Sequence, residues 1–301
     1  MTGRITGGTD ERMAERIAGR TDERMAERIA GGTDERMAGK TAERMTEKTD
    51  KTIVEIKNIS FSYGKKAVVK DISFDIKSGE CVGILGNNGS GKSTLITCLN
   101  KILTPKKGNI FIDKHDVLKM NRLETARLIS YVAQKNEISQ MTVFDSVLLG
   151  RKPYIKWAIS QEDIDICDEV IEKLGLSSFK LRYIDELSGG ELQKIMLARA
   201  FAGHPKLMLL DEPTSNLDPK NQYEMLALVR NHTIERQICS AIVLHDISLA
   251  LRYCDKFLFI KDGGVHKYGD ESIVTSETIE SVYGISSTIE MINGRKIVVI
   301  Q

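Results

Sequence analysis

A glycine-rich loop between a predicted strand and a predicted helix constrains the fold of this chain more than any other feature. Residues 86–94 read Gly-Asn-Asn-Gly-Ser-Gly-Lys-Ser-Thr and fit the pattern G-x-x-x-x-G-K-[S/T]. They follow the apolar run Cys81–Leu85, which is typical of a buried strand, and open a helix expected from Lys92 to about Leu103. Glycines let backbone N–H groups close around phosphate, and the helix N-terminus favours negative charge. The loop therefore predicts a phosphate-binding site in an α/β fold.

Two segments supply the chemistry expected at that site. Lys92 is expected to pair with the β- and γ-phosphates of a nucleotide, and the Ser93 hydroxyl is expected to bind Mg²⁺. The apolar run 207–210 delivers Asp211 to its polar end, where a carboxylate can hold the Mg²⁺ shell. Glu212 comes next and can orient or deprotonate an attacking water. The residues expected to contact the nucleotide in the loop are Gly86, Asn87, Asn88, Gly89, Ser90, Gly91, Lys92, Ser93 and Thr94.

Composition excludes several other classes of protein. A formal net charge of +1 argues against a general nucleic-acid binder, which usually has a basic excess. No apolar run approaches the roughly 18 residues that a membrane-spanning helix needs, so a membrane role requires a separate membrane protein. The five cysteines are scattered without a C-x-x-C pair, which indicates reduced thiols in a cytosolic protein and no metal site.

Residues 1 to about 52 differ in composition from the rest of the chain. A sequence that starts at Thr9 recurs almost unchanged from Thr21 and in part from Thr33. A step of 12 residues at about 100° each rotates the pattern by roughly 120° per repeat, so no continuous apolar stripe forms along a helix. We expect a solvated, partly helical or disordered tail rather than a partner-binding helix. Met45 is an alternative start for a compact chain.

Apolar patterning predicts the organisation of residues 53–301. Alternating apolar residues between 53 and 76 favour antiparallel strands, and the apolar runs 81–85, 207–210 and 241–244 favour a parallel sheet covered by helices on both faces. The stretch from about 136 to 190 is expected to form a helical subdomain. Asn293-Gly294 between two alternating runs predicts a hairpin turn.

The segment Leu187-Ser188-Gly189-Gly190-Glu191 narrows the class further. It precedes a helix expected over about 191–202, where Ser188 can cap the first turn and the exposed N–H groups can bind an anion. This segment resembles the signature of ABC ATPases, and the agreement with that family extends over nearly all of residues 53–301. The resemblance implies a RecA-like P-loop NTPase core with an antiparallel β subdomain and a helical subdomain.

Four further positions match the family's pattern in the family's order. Gln134 resembles the glutamine of a conserved loop, and the segment from Ser215 to Asp218 resembles the D-loop. His245 resembles the switch histidine, and Tyr63 resembles the aromatic residue that stacks on adenine. The other histidines match no motif and are predicted to lie on the surface: His115, His204, His232 and His266.

The resemblance implies a head-to-tail homodimer that binds ATP and Mg²⁺ between its subunits. The phosphate loop of one subunit would face the other subunit's Ser188, Gly189 and Gly190, and Asp218 would touch the partner's phosphate loop. Glu212, His245 and Gln134 would be the catalytic residues, and Gln134 would also sense Mg²⁺ or water and signal to the membrane subunit. Ser93, Gln134 and Asp211 would surround the metal.

Two segments favour one branch of the family. Gly150–Tyr154 and Leu181–Ser188 resemble the branch that serves iron–siderophore, haem and cobalamin importers, although that branch often has histidine at the position of Tyr154. These segments are expected near the permease. The resemblance implies a polytopic permease and, indirectly, an extracytoplasmic substrate-binding protein as partners. The chain would then lie on the cytoplasmic face of the cell membrane.

Three alternatives stay open on the sequence. The first is an ABC ATPase for another cargo. The second is a non-transport ABC ATPase acting on DNA or ribosomes. Two observations argue against it: the chain has a single cassette, and the 95 residues between Lys92 and Ser188 show no sustained heptads of the kind that form a coiled coil. The third is a cassette that binds ATP without turnover, against which stand the intact Glu212 and His245.

Overall fold

The computed structural model describes residues 51–134, 140–215 and 217–301, which belong to one compact unit spanning Thr49–Gln301. The prediction for the N-terminal tail lies outside the described residues, apart from positions 51 and 52. The strands are β1 Thr52–Tyr63, β2 Lys66–Lys77, β3 Cys81–Leu85, β4 Lys107–Ile112, β5 His115–Asp116, β6 Ile129–Val132, β7 Leu207–Asp211, β8 Cys239–Val243, β9 Lys256–Lys261, β10 Gly264–Gly269, β11 Ser287–Ile292 and β12 Arg295–Ile300. The α-helices are α1 Lys92–Leu99, α2 Arg122–Leu128, α3 Val143–Leu148, α4 Gln161–Lys173, α5 Gly189–Ala202, α6 Pro219–Glu235, α7 Ile247–Tyr253 and α8 Ser276–Tyr283.

A six-stranded sheet forms the centre of the unit, in the order β10-β9-β3-β8-β7-β6. Its strands pair in parallel except for β10, which is antiparallel to β9. All residues of β3, β7 and β8 are buried, as expected for strands covered on both faces. The predicted α/β fold with a parallel sheet is confirmed. The carboxyl ends of these strands bring the loops after β3, β6, β7 and β8 to one edge.

A second sheet, in the order β2-β1-β4-β5, is antiparallel as the alternating residues predict. Val54, Ile56 and Ile72 are buried on one face and share a core with Leu95 of α1 and Ile84 of β3. The phosphate-loop helix therefore packs into the same core as both sheets. This packing fixes α1, whose N-terminus begins at the glycine-rich loop.

The stretch expected to be helical contains α3 and α4, which pack with α5 around a shared apolar core that includes Val147, Ile171, Ile195 and Phe201. Helix α5 begins at Gly189, two residues earlier than expected. Helix α1 ends at Leu99 rather than near residue 103, because Lys101 adopts a left-handed conformation with φ 57°.

The prediction of a C-terminal hairpin is confirmed, whereas the prediction for one histidine is wrong. The hairpin of β11 and β12 turns at Asn293 and Gly294, whose φ values of 51° and 73° suit the predicted turn. The surface prediction for His232 is wrong, because this side chain is 3% exposed and stacks on Phe201 with a ring-centroid distance of 3.6 Å. In the described part of the chain, no helix is both long and apolar enough to cross a bilayer.

Candidate functional site

Close backbone contacts dictate glycine at two positions of the phosphate loop. Gly86 has φ 149°, and a Cβ there would lie 2.3 Å from the Ile260 carbonyl oxygen. Gly91 has φ 104°, and a Cβ there would lie 2.7 Å from the Val68 carbonyl oxygen. Larger residues at these positions would push the loop away from β9 and β2. The loop can follow its tight path only with glycine at these two points.

Lys92 and Ser90 are the loop residues whose surroundings suit an anion. Lys92 is 5% exposed, and its Nζ donates to the carbonyl oxygens of Gly86 at 2.7 Å and Asn87 at 3.0 Å. Burial lowers the pKa of Lys92, while the nearby Glu212 and Asp211 carboxylates act in the opposite direction. Ser90 Oγ is buried and has no hydrogen-bond partner among the described residues. A bound phosphate would give Ser90 Oγ the partner that it lacks and would offer Lys92 a charged acceptor in place of the two carbonyl oxygens, so the loop fits the predicted ligand.

Two of the three predicted metal ligands, Ser93 and Asp211, meet at the start of α1 and the end of β7. Ser93 Oγ donates to Asp211 Oδ1 at 3.0 Å. Burial raises the pKa of Asp211, and the hydrogen bond from Ser93 opposes that shift. One hydroxyl and one carboxylate are hard oxygen ligands of the kind that Mg²⁺ uses together with phosphate and water. Across the residues that the structure describes, no group of three or more His, Cys, Asp or Glu side chains could hold a metal by itself.

Glu212, Gln134 and His245 come together although they lie on three different loops. Gln134 Nε2 donates to Glu212 Oε2 at 2.6 Å, and His245 Nε2 lies 2.6 Å from Glu212 Oε1. Each partner follows a strand of the parallel sheet: Gln134 follows β6, Glu212 follows β7 and His245 follows β8. Parallel pairing places these strand ends side by side, which is why residues distant in sequence meet here.

A cavity of about 500 Å³ adjoins the loop and is lined by Tyr63, Lys92, Ser93 and Glu212, among others. Tyr63 is 53% exposed at the end of β1, and its ring packs edge-on against Phe61 with a centroid distance of 4.9 Å. A flat exposed aromatic ring beside a phosphate-binding loop suits a nucleobase. The cavity therefore joins the predicted base-stacking residue to the predicted phosphate and water-activating residues.

The signature residues lie elsewhere on the same chain. Ser188 caps α5 in a capping box in which its Oγ donates to Glu191 Oε2 at 2.7 Å. Within the described ranges, Ser188, Gly189 and Gly190 do not line the cavity at the phosphate loop. Asp218 caps α6 and accepts a hydrogen bond from the Asn221 backbone at 2.9 Å. One chain alone thus contains a phosphate loop and an exposed helix N-terminus at Ser188 as separate features.

Sequence patterns do not mark two tyrosines that contact the site. Tyr131 of β6 lies close to the Asp211 carboxylate, and burial, followed by the charge of Asp211, raises the pKa of Tyr131 to about 12. Tyr283 of α8 accepts a hydrogen bond from the Gly86 backbone at 3.0 Å. The parallel placement of β6 beside β7 is the only signal that could have pointed to Tyr131, and none pointed to Tyr283.

Within the segment Gly150–Tyr154, Arg151 is buried and Gly150 packs closely against α5, while Lys152 is exposed. A Cβ on Gly150 would lie 2.2 Å from the Arg199 carbonyl oxygen of α5. Arg151 is buried, pairs with Asp163 at 2.9 Å and lies 4.1 Å from the centroid of the Tyr154 ring. Gly150 and Arg151 hold α4 and α5 together. At these two positions, the motif that favours one branch of the family therefore stabilises the fold. Trp157, which follows this segment, is exposed, as are Leu181 and Tyr183 in the second segment that favours the same branch, Leu181–Ser188.

Comparison with known proteins assigns the family. The family described as ABC transporter matches residues 69–215. An uncharacterized ABC transporter ATP-binding protein of Methanocaldococcus jannaschii is 47% identical over 247 residues, which make up 82% of this chain and 97% of that protein. The petrobactin import ATP-binding protein of Bacillus subtilis is 31% identical, with 81% and 98% covered. A phosphonates import ATP-binding protein of Nitratidesulfovibrio vulgaris is 36% identical, with 78% and 92% covered.

Solved structures agree with this assignment. A metal-chelate type ABC transporter in an inward-facing conformation is similar with a TM-score of 0.72 and 26% identity, covering 83% of this chain and 97% of that one. A dimeric bacterial ABC transporter cassette is similar with a TM-score of 0.65 and 28% identity, covering 72% and 98%. The chain belongs to the family of ABC transporter ATP-binding subunits, which are ATPases coupled to transport.

Proposed function

We propose that this chain binds ATP on the loop of residues 86–94 and hydrolyses it to drive the import of a metal chelate through a membrane permease. The observation that carries the catalytic part is the Glu212 carboxylate, held at 2.6 Å by both Gln134 and His245 on the wall of the cavity that contains Lys92. This arrangement fixes a proton acceptor beside the predicted phosphate position.

Different side chains of the site bind the nucleotide and activate the water. Lys92 leaves the carbonyl oxygens of the loop and pairs with the phosphates of ATP, while Tyr63 stacks on the adenine. Glu212 accepts the proton of the water that attacks the γ-phosphorus, and the bond to the leaving ADP oxygen breaks. Each carboxylate oxygen has two lone pairs, so Glu212 can hold this water without losing both of its present partners. Mg²⁺, when bound by Ser93 and Asp211 with Gln134 close by, neutralises charge on the phosphates.

We infer that the complete site needs two subunits. A site open to solvent binds phosphate weakly, whereas a second anion-binding surface that closes over it excludes water and strengthens each charge interaction. The exposed N-terminus of α5 at Ser188, Gly189 and Gly190 supplies such a surface. A head-to-tail homodimer brings it over the partner's loop and places Asp218 beside that loop. The similar cassette whose solved structure is dimeric supports a dimer for this chain.

Three findings support a metal chelate as the cargo: the resemblance of Gly150–Tyr154 to the importer branch, the petrobactin relative and the metal-chelate transporter structure. The phosphonate relative, at 36% identity, makes phosphonate import the second candidate. Cargo is bound by the permease and an extracytoplasmic binding protein, so the exposed Trp157, Leu181 and Tyr183 are proposed to contact only the permease, at the cytoplasmic face of the membrane.

Reconstitution tests the cargo and the catalytic part separately. The tagged chain is isolated together with its permease and placed in proteoliposomes that contain ATP. Uptake of radiolabelled ferric siderophore, haem, cobalamin and a phosphonate is then measured, with Glu212→Gln as the inactive control. The proposal predicts ATP-dependent uptake of a metal chelate. Uptake of the phosphonate alone would overturn the cargo, and equal uptake with Glu212→Gln would overturn the catalytic role.

A further inference from the structure

The last helix, α8, binds the phosphate loop at two points that the family motifs do not include. The Gly86 backbone N–H donates to Tyr283 Oη at 3.0 Å. The Asn87 side chain donates from Nδ2 to the Val282 carbonyl oxygen at 2.8 Å. Gly86 and Asn87 are the first two residues of the loop, so the last turn of α8 holds the point where the loop leaves β3.

Helix α8 is a rigid support for this contact. Ile279, Val282 and Thr278 are buried, and Lys267 of β10 donates to Thr278 Oγ1 at 2.9 Å. Thr275 caps the N-terminus, so both ends of the helix are defined. Burial raises the pKa of Tyr283 to about 12, so its hydroxyl stays protonated and neutral at physiological pH.

The Tyr283 contact does not depend on Lys92. Lys92 Nζ donates to the carbonyl oxygens of Gly86 and Asn87 and braces the same two residues. When Lys92 turns to a phosphate, both carbonyl oxygens lose that partner. Tyr283 and Val282 use the Gly86 N–H and the Asn87 side chain instead, so their bonds can persist.

We propose that Tyr283 is a positioning residue that holds the phosphate loop in its ATP-accepting conformation while Lys92 changes partners. This inference rests on the proposed function, because it takes the loop as the ATP site. Tyr283 acts on the loop before chemistry, and the hydrogen bond of its hydroxyl within the described residues is to Gly86 and not to Asp211, Glu212 or His245. Its loss lowers the fraction of loops that can accept ATP, which raises the apparent Kd by the same factor.

The test is Tyr283→Phe, which removes one hydroxyl and keeps the ring. Loss of one hydrogen bond is expected to raise the Kd and KM for ATP about three- to tenfold, while kcat stays within about twofold of wild type. Hydrogen exchange of the peptide that contains residues 82–92, measured without nucleotide, should be faster in the variant. Thermal unfolding of each variant shows that it is folded.

Tyr268→Phe is the matched control. Tyr268 is also a partly buried tyrosine that bonds the backbone, although its hydroxyl donates to the Asp75 carbonyl oxygen whereas that of Tyr283 accepts from an N–H, and it does not line the cavity as described. This variant should keep wild-type ATP affinity and loop exchange. Wild-type affinity in Tyr283→Phe would overturn the inference, as would an equal affinity loss in Tyr268→Phe. Failure of the wild-type protein to bind ATP would instead overturn the proposed function.

Discussion

Glu212 combines backbone strain with a defined hydrogen-bonding environment. Its φ is 50°, a left-handed conformation that costs a residue other than glycine about 1–3 kcal/mol. The Glu212 carbonyl oxygen accepts hydrogen bonds from the Ser215 N–H at 3.1 Å and the Ser215 hydroxyl at 2.9 Å. Together with the bonds from Gln134 and His245, these contacts hold the strained conformation. We infer that the strain serves to aim the carboxylate into the cavity.

Replacement of this carboxylate tests its role. Glu212→Gln should keep ATP binding, because the phosphate contacts stay in place, but hydrolysis should fall about 10²–10⁴-fold because an amide cannot accept the proton of water. Steady-state phosphate release and equilibrium ATP binding measure the two effects. Glu172→Gln, an exposed substitution on α4, is the control. Near-normal hydrolysis by Glu212→Gln would remove Glu212 from the role of general base.

His232 is a buried titratable group with no place in the proposed chemistry. Its Nδ1 has no hydrogen-bond partner within the described ranges, and the ring stacks on Phe201. Burial lowers the pKa of His232 to about 3, with Lys173, Arg236 and His204 adding repulsion. The folded chain therefore keeps this imidazole neutral where an unfolded chain would protonate it.

The sign of the resulting pH dependence follows from that difference. The unfolded chain binds a proton below its ordinary pKa of 6.5, whereas the folded chain binds one only near 3. Stability from His232 is therefore complete above pH 6.5 and falls between pH 6.5 and 3, by about 1.4 kcal/mol per pH unit well below 6.5. His232→Phe keeps an aromatic ring against Phe201 but cannot bind a proton. When the pH is lowered from 7 to 5, its free energy of unfolding in urea should therefore fall less than that of wild type. An equal fall in both proteins would refute the role of His232.

At the scale of elements, local patterns predicted the type of an element better than its end. The runs 81–85 and 207–210 identified β3 and β7, but nothing local showed that Lys101 would turn left-handed and end α1 at Leu99. The meeting of Glu212 with its two partners followed from motif order and parallel strand ends. Contacts such as that of Tyr283 with Gly86 join residues about 200 positions apart, and periodicity carries no information about them.

The buried ion pair of Arg151 and Asp163 shows how one element depends on another. Asp163 belongs to α4, caps it through Ser160 and bonds Arg151 Nε at 2.9 Å. Arg151 Nη1 donates to the Ala202 carbonyl oxygen at the end of α5 at 3.1 Å. The hydrogen bond from Ser160, followed by that from Arg151, holds the pKa of Asp163 below its ordinary value. The ion pair thus connects the start of α4 to the end of α5.

Asp163→Asn should therefore destabilise the fold strongly. Removal of one partner leaves the Arg151 charge buried without compensation, at a cost of about 3–5 kcal/mol. Glu169→Gln, like Asp163→Asn a substitution on α4, breaks an exposed ion pair with Arg236 at the end of α6 and should cost less than about 1 kcal/mol. Urea unfolding at neutral pH compares the two variants. A similar loss in the free energy of unfolding of both variants would show that the buried pair stabilises the fold no more than the exposed pair does.

On the scale of the whole molecule, one chain separates two surfaces that the proposed reaction needs together. The phosphate loop lines a cavity with Glu212, while the exposed start of α5 at Ser188 lies apart from that cavity. A symmetric head-to-tail dimer resolves this separation, because each subunit supplies the surface that the other lacks. Two composite sites per dimer follow from that symmetry. On this proposal, neither site is complete in a monomer.

Mixed dimers test this claim most directly. Subunits with Lys92→Ala are mixed with subunits with Ser188→Arg, and hydrolysis is measured as a single turnover with protein in excess over ATP. Each mixed dimer has one site with both defects and one site with an intact loop and an intact signature. If the site is composite, the mixture should hydrolyse ATP although neither variant does so alone. With random pairing, roughly a quarter of the sites present in wild type should be active. No recovery, in a mixture shown by differential tags to contain mixed dimers, would contradict the two-subunit site.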